Sequence, residues 1–90
     1  MLNIVSSNRF KKDLKLALRR GYKIELLEEV VNKLAAGVVL EPKYKDQELS
    51  GDFKGLRECH ITPDWLLIYQ VIENELVLYL SRTGTHSDLF

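Results

Sequence analysis

The stretch Trp65 to Ile72 limits the fold most: eight residues, interrupted only by Gln70, that are apolar on both faces of an extended chain. A run of that length and content reads as a central strand. A second strand candidate, Leu56 to Ile61, precedes it and is stopped by Thr62-Pro63-Asp64. A third, Leu76 to Ser81, follows after the turn residues Glu73-Asn74. Sequential strands joined by such short turns pair antiparallel. The first 36 residues carry a different period. Phe10, Leu14, Ala17 and Leu18 recur at helical spacing, with Ser6-Ser7-Asn8 offering N-caps before them and Gly21 a C-cap after them. Ile24, Leu27, Val31 and Leu34 mark a second helix, about Ile24 to Ala36, closed by Gly37. Leu2 to Val5 reads as a short leading strand. Val38 to Lys54 has no sustained period and reads as a long ordered loop, a length that is often functional. Arg82 to Phe90 reads as a tail ending in a short turn or helix.

The expected fold is therefore α+β, a single domain over residues 1–90. It runs β-α-α-β-β-β, with an antiparallel sheet carrying helices on one face. The other face is left to meet solvent or a ligand, and a site belongs there.

An apolar share of 46% and a charged share of 29% are ordinary for a globular chain. Cys59 is the single cysteine, so no internal disulfide forms, which fits a reducing cytoplasm, and no cysteine cluster suggests a metal. No apolar run approaches the roughly 20 residues that span a membrane. The net charge of zero hides a division. Residues 1–45 hold ten Lys and Arg against five acids, and residues 46–90 hold three against eight. Lys11, Lys15 and Arg19 share one face of the first helix, away from its apolar face. Such a stripe suits phosphates, and it is equally an ordinary solvated face.

Taken singly, the polar side chains are unremarkable. His60 reads as a strand residue and His86 as a surface residue of the tail; the two lack a third metal ligand at a recognisable spacing. Nothing forms a phosphate-cradling glycine loop or a nucleophile elbow.

Their arrangement says more. Tyr44-Lys45-Asp46-Gln47-Glu48-Leu49-Ser50-Gly51 is followed by Lys54-Gly55 and Arg57-Glu58-Cys59-His60. Pro63-Asp64-Trp65-Leu66-Leu67-Ile68-Tyr69 comes next, and Arg82-Thr83-Gly84-Thr85-His86-Ser87-Asp88-Leu89-Phe90 ends the chain. This resembles the YafQ-type toxins of the RelE superfamily. Their pattern is a Tyr-x-Asp-His-x-Leu-x-Gly loop, then Lys-Gly-x-Arg-x-x-His leading to Asp and an aliphatic run. It closes on Arg-x-Gly-x-His-x-x-Leu-Phe. The match spans the last half of the chain; the helical half agrees in layout only.

The resemblance implies a RelE-like fold and the toxin of a bacterial toxin–antitoxin pair. Similar proteins bind the ribosomal A site and cut mRNA there without a metal or cofactor, and a partner antitoxin silences them. The expected assembly is a monomeric toxin within that complex. Metal-free RNA cleavage uses the 2′-hydroxyl as nucleophile. A base takes its proton, an acid protonates the 5′-oxygen, and cations hold the growing phosphate charge. On this pattern His86 is the general acid, and His60 with Asp64 activates or orients the 2′-hydroxyl. Arg82 is the phosphate clamp, and Phe90 and Trp65 stack on bases, although Trp65 opens an apolar strand and equally reads as core. Arg57 reads either as an RNA contact or as scaffold paired with Glu58 or Asp64. Lys45 and Lys54 read either as contacts to ribosomal RNA or as ordinary exposed lysines. Gln47 departs from the family, which commonly has histidine there; glutamine hydrogen-bonds but exchanges no proton near neutral pH. Two expectations follow: an attenuated nuclease, or a cleavage-deficient homologue that binds antitoxin or ribosome.

Overall fold

The computed structural model describes all residues, 1–90. A leading strand, β1 (Asn3–Ser6), is followed by α1 (Asn8–Arg19) and α2 (Ile24–Ala35). Then come β2 (Gln47–Glu48), β3 (Arg57–Thr62), β4 (Trp65–Ile72), β5 (Val77–Gly84) and α3 (His86–Leu89). The five strands form one sheet in the order β1-β5-β4-β3-β2. All neighbours are antiparallel except β1, which joins β5 in parallel. The parallel pairing arises because the chain returns to the sheet only after both helices, so a hairpin cannot place β1.

Ser7 starts α1 as its sequence predicts. Its hydroxyl oxygen accepts from the Phe10 amide at 2.9 Å and the hydroxyl donates to the Ser81 carbonyl at 2.7 Å. One short side chain thus caps the helix and ties it to β5. Gly21 then leaves the helix with φ +85°, a conformation that favours glycine. Phe10 and Ala17 of α1, and Leu27, Val30, Val31, Leu34 and Ala35 of α2, are buried against the sheet. They meet Cys59, Ile61, Trp65, Leu67, Tyr69, Leu78 and Leu80.

The strand parity places Leu66 and Ile68 on the opposite face. That face is not left to solvent: Leu89 of α3 packs on both residues, flanked by the half-buried Leu49 and Leu56. Trp65 through Tyr69 are all buried, which is what an apolar run on both faces requires.

Two local expectations need adjusting. The long loop contains single 3-10 turns at Pro42–Tyr44 and Gly51–Phe53, and between them β2. β2 is two polar residues whose extended form comes from pairing with β3, so no propensity announces it. β5 runs on to Gly84, so Arg82 lies in the sheet and not in a tail. That extension carries a register shift opposite Ile68 and Tyr69, and a bulge of this kind aims the following side chains anew.

Candidate active site

Three elements converge at the end of the sheet where β3 turns into β4 and β5 gives way to α3. They border a cleft of about 440 Å³ lined by His60, Asp64, His86, Tyr22, Leu66 and Thr85 among others. The three titratable residues expected from the sequence thus share one hollow. His60 sits on β3 with its Nδ1 3.4 Å from the Pro63 carbonyl. Nδ1 donates to that carbonyl only in the ring forms that carry a proton there. Nε2 stands 4.0 Å from Oε1 of Glu58. Glu58 is buried, and its Oε1 also accepts from Gln47 Nε2 at 2.8 Å. Gln47, Glu58 and His60 therefore form a row across β2 and β3, set by the pairing of Gln47 with Glu58 and by the strand alternation of Glu58 and His60.

Glu58 reads from the sequence only as a partner for Arg57, and its place beside His60 and Gln47 emerges with the fold. The parity of Glu58 and His60 was visible in the strand; the pairing with Gln47 was not, because nothing local announces β2.

His86 opens α3. Thr85 caps that helix by accepting from the Asp88 amide, and Asp88 accepts from the Thr85 amide at 2.9 Å. Asp88 further accepts from Arg20, at the end of α1, at 2.6 Å and 3.3 Å. The Arg20 guanidinium, then the Thr85 amide, holds the Asp88 carboxyl well below the usual carboxylate range. The His86 ring lies 5.0 Å from the Phe90 ring, whose other neighbour is the edge of Phe53 at 5.1 Å. Phe90 is half exposed, so an aromatic surface adjoins His86 on the open side.

The remaining expected residues lie elsewhere. Trp65 is 1% exposed, with its Nε1 donating to Thr83 Oγ1 at 2.8 Å and its ring 5.0 Å from that of Tyr22. No base can reach its face, so the core alternative is the correct one. Arg82 does not border the cleft. Its Nε and Nη2 donate to Asp13 of α1 at 2.7 Å and 3.1 Å, and the same carboxylate accepts the Thr83 amide. Two of its three nitrogens are thereby committed. Arg57 is scaffold, but its partners are not Glu58 or Asp64. It donates to Asp46 at 3.1 Å and meets Glu48 at 3.5 Å, while the buried Tyr69 hydroxyl also bonds to Asp46. That network pins the loop carrying Gln47 to the sheet. Lys54 lines a separate shallow groove with Glu48 and Arg57. Cys59 is fully buried and its thiol is pushed up to about 12, chiefly by burial, so it stays protonated and inert. A larger hollow of about 600 Å³ at the opposite end is mainly aliphatic and contains no histidine.

With this geometry in place, the comparisons with known proteins are decisive. Residues 2–90 match the family described as bacterial toxin of type II toxin–antitoxin system, YafQ. The chain belongs to the YafQ toxin family. It is 38% identical over 89 residues to the mRNA interferase toxin YafQ of Escherichia coli K12, covering 98% of this chain and 95% of that protein. A metal-bound toxin from Helicobacter pylori superposes with a TM-score of 0.94 at 49% identity, with both chains fully covered. A structure of the E. coli DinJ–YafQ complex superposes with a TM-score of 0.90 at 37% identity, covering 100% of this chain and 99% of the other. The antiparallel sheet with two helices and a short C-terminal helix is thus the YafQ fold. The H. pylori toxin binds a metal; in this YafQ family member no group of three or more His, Cys, Asp or Glu side chains comes together to hold one. No helix is long and apolar enough to cross a membrane.

Proposed function

We propose that this YafQ family toxin is an mRNA interferase that cleaves message in the ribosomal A site by side-chain acid–base chemistry, without a metal or cofactor. The convergence of His60, Asp64 and His86 on one cleft supports this reading above all. His86 protonates the 5′-oxygen as the bond from phosphorus to that oxygen breaks. The 2′-hydroxyl attacks phosphorus and gives its proton to the His60 side of the cleft, where Glu58 and Asp64 orient the imidazole and the sugar. The products are a 2′,3′-cyclic phosphate and a free 5′-hydroxyl. Histidine serves both transfers because its ordinary pKa lies near neutrality. Arg82, held by Asp13 and set outside the cleft, adds positive charge near the bound RNA and does not clamp the reacting phosphate, and Phe90 stacks on a base beside His86. Lys54 contributes charge toward ribosomal RNA from the neighbouring groove.

A small open cleft with few residues does not position RNA unaided, and this favours the ribosome as the surface that presents the substrate. The partner that silences the toxin is an antitoxin of the kind that DinJ is to E. coli YafQ, bound to a single toxin chain. The exposed Lys11, Lys15 and Arg19 offer it, or the ribosome, a basic face.

The test is primer extension on ribosomes translating a defined mRNA, with His86→Ala as control and toxin desalted from chelator beforehand. New 5′ ends at A-site codons, absent without ribosomes and absent in the variant, are the expected result. The second reading, a cleavage-deficient binder, is favoured by one observation: Gln47 stands where the family commonly has histidine. Intact mRNA with toxin bound to ribosomes would establish that reading instead.

A further inference from the structure

α3 is only four residues long, too short to hold its shape unaided, yet it carries His86 as its first residue. Three attachments seat it, one of them the contact of Phe90, just past its end, with Phe53. Leu89 packs on Leu66 and Ile68, and Asp88 takes both guanidinium bonds of Arg20, 68 residues away in the chain. Leu89 fixes the depth of the helix against the sheet. The apolar contacts, at residues 89 and 90, both hold the helix at its C-terminal end; the Arg20 pair ties it to the end of α1 as well.

We infer that Arg20 and Asp88 form a latch that seats α3, which makes Arg20 a positioning residue for His86; the inference rests on the reading of His86 as the general acid. Gly84 fits the same device. Its φ is +156°, and a Cβ there would stand 3.0 Å from Asp88 Oδ2, so the backbone entering α3 is shaped around the latched carboxylate. The Arg20 and Asp88 side chains are 38% and 27% exposed. An ion pair so exposed contributes little to global stability, so its effect falls on geometry.

The experiment compares wild type, Arg20→Ala and Arg20→Lys in two assays. NMR reads the NOE between the Phe53 and Phe90 rings, which reports the seat of α3 without any cleavage. Ribosome-programmed cleavage separates the rate at saturation from the half-saturating ribosome concentration. Arg20→Ala is expected to weaken the NOE and to lower the saturated rate about tenfold or more, since small misplacement of a reacting group is costly. The half-saturating concentration and the melting temperature should hardly change, and Arg20→Lys should recover much of the rate. An unchanged NOE with an unchanged rate overturns the latch. A raised half-saturating concentration with a wild-type saturated rate also overturns it, because Arg20 would then be a ribosome contact. A wild-type chain that cuts nothing would refute the nuclease reading, and the NOE would still decide the latch.

Discussion

Gln47 shows how a single residue's meaning depends on its neighbours. Its amide donates to Glu58, and Glu58 faces His60, so this loop side chain contacts the carboxylate beside the cleft. Gln47→His is expected to raise cleavage, by up to about 10²- to 10⁴-fold where the new imidazole exchanges the 2′-hydroxyl proton. An unchanged rate in the primer-extension assay would show that side chain 47 only positions RNA. Trp65 makes the opposite point. Its place in the motif suggests a stacking platform, yet it is buried and hydrogen-bonded to Thr83. Trp65→Ala should cost about 3–5 kcal/mol in urea denaturation, as for other buried aromatics. A loss confined to activity, with stability intact, would return Trp65 to the RNA surface.

At the scale of elements, α3 and the end of β5 act as one unit. Gly84→Ala places a methyl against the Asp88 carboxylate and asks a residue with a Cβ to hold φ +156°. The variant should fold, keep Leu89 near the sheet, and lose cleavage at least as severely as Arg20→Ala; wild-type kinetics would show that the α3 entry has slack. The same unit has an acid dependence. Because the folded carboxyl of Asp88 is depressed, the stability it contributes is present above its ordinary value of 3.8 and is lost as pH falls toward the folded value. The small stability difference between wild type and Asp88→Asn, to which the Thr85 cap contributes as well as Arg20, should therefore be flat above about pH 5 and shrink below pH 4. A difference that instead grew on acidification would contradict a charged Asp88 carboxylate held by Arg20 and the Thr85 amide.

Across the whole molecule, the charge is divided by position as well as by sequence. The basic residues of α1 at 11, 15 and 19 are exposed and enter no ion pair, whereas Arg20 and Arg82 are used internally. Reversing the charge at Lys11, Lys15 and Arg19 together should weaken ribosome or antitoxin binding and flatten its salt dependence, with the fold unchanged by circular dichroism. Unaltered affinity for both partners would reduce the stripe to a solvated face.

What the sequence by itself determined was periodic and local. The helical spacing of Phe10 to Leu18 and of Ile24 to Leu34, the doubly apolar Trp65 to Ile72, and the caps at Ser7 and Gly21 each depend on residues a few positions apart. The C-terminal His-x-x-Leu-Phe block pointed to His86 in the same way. Tertiary structure alone decided which distant groups meet. Two-residue β2 exists only through its pairing with β3, and that pairing brought Gln47 to Glu58. Arg82 met Asp13 across 69 positions of the chain and Arg20 met Asp88 across 68. Hydrophobic periodicity specifies which face of an element is buried. It does not specify which charged side chain will stand opposite another once those faces close, because that depends on strand register and helix placement set by the packed core.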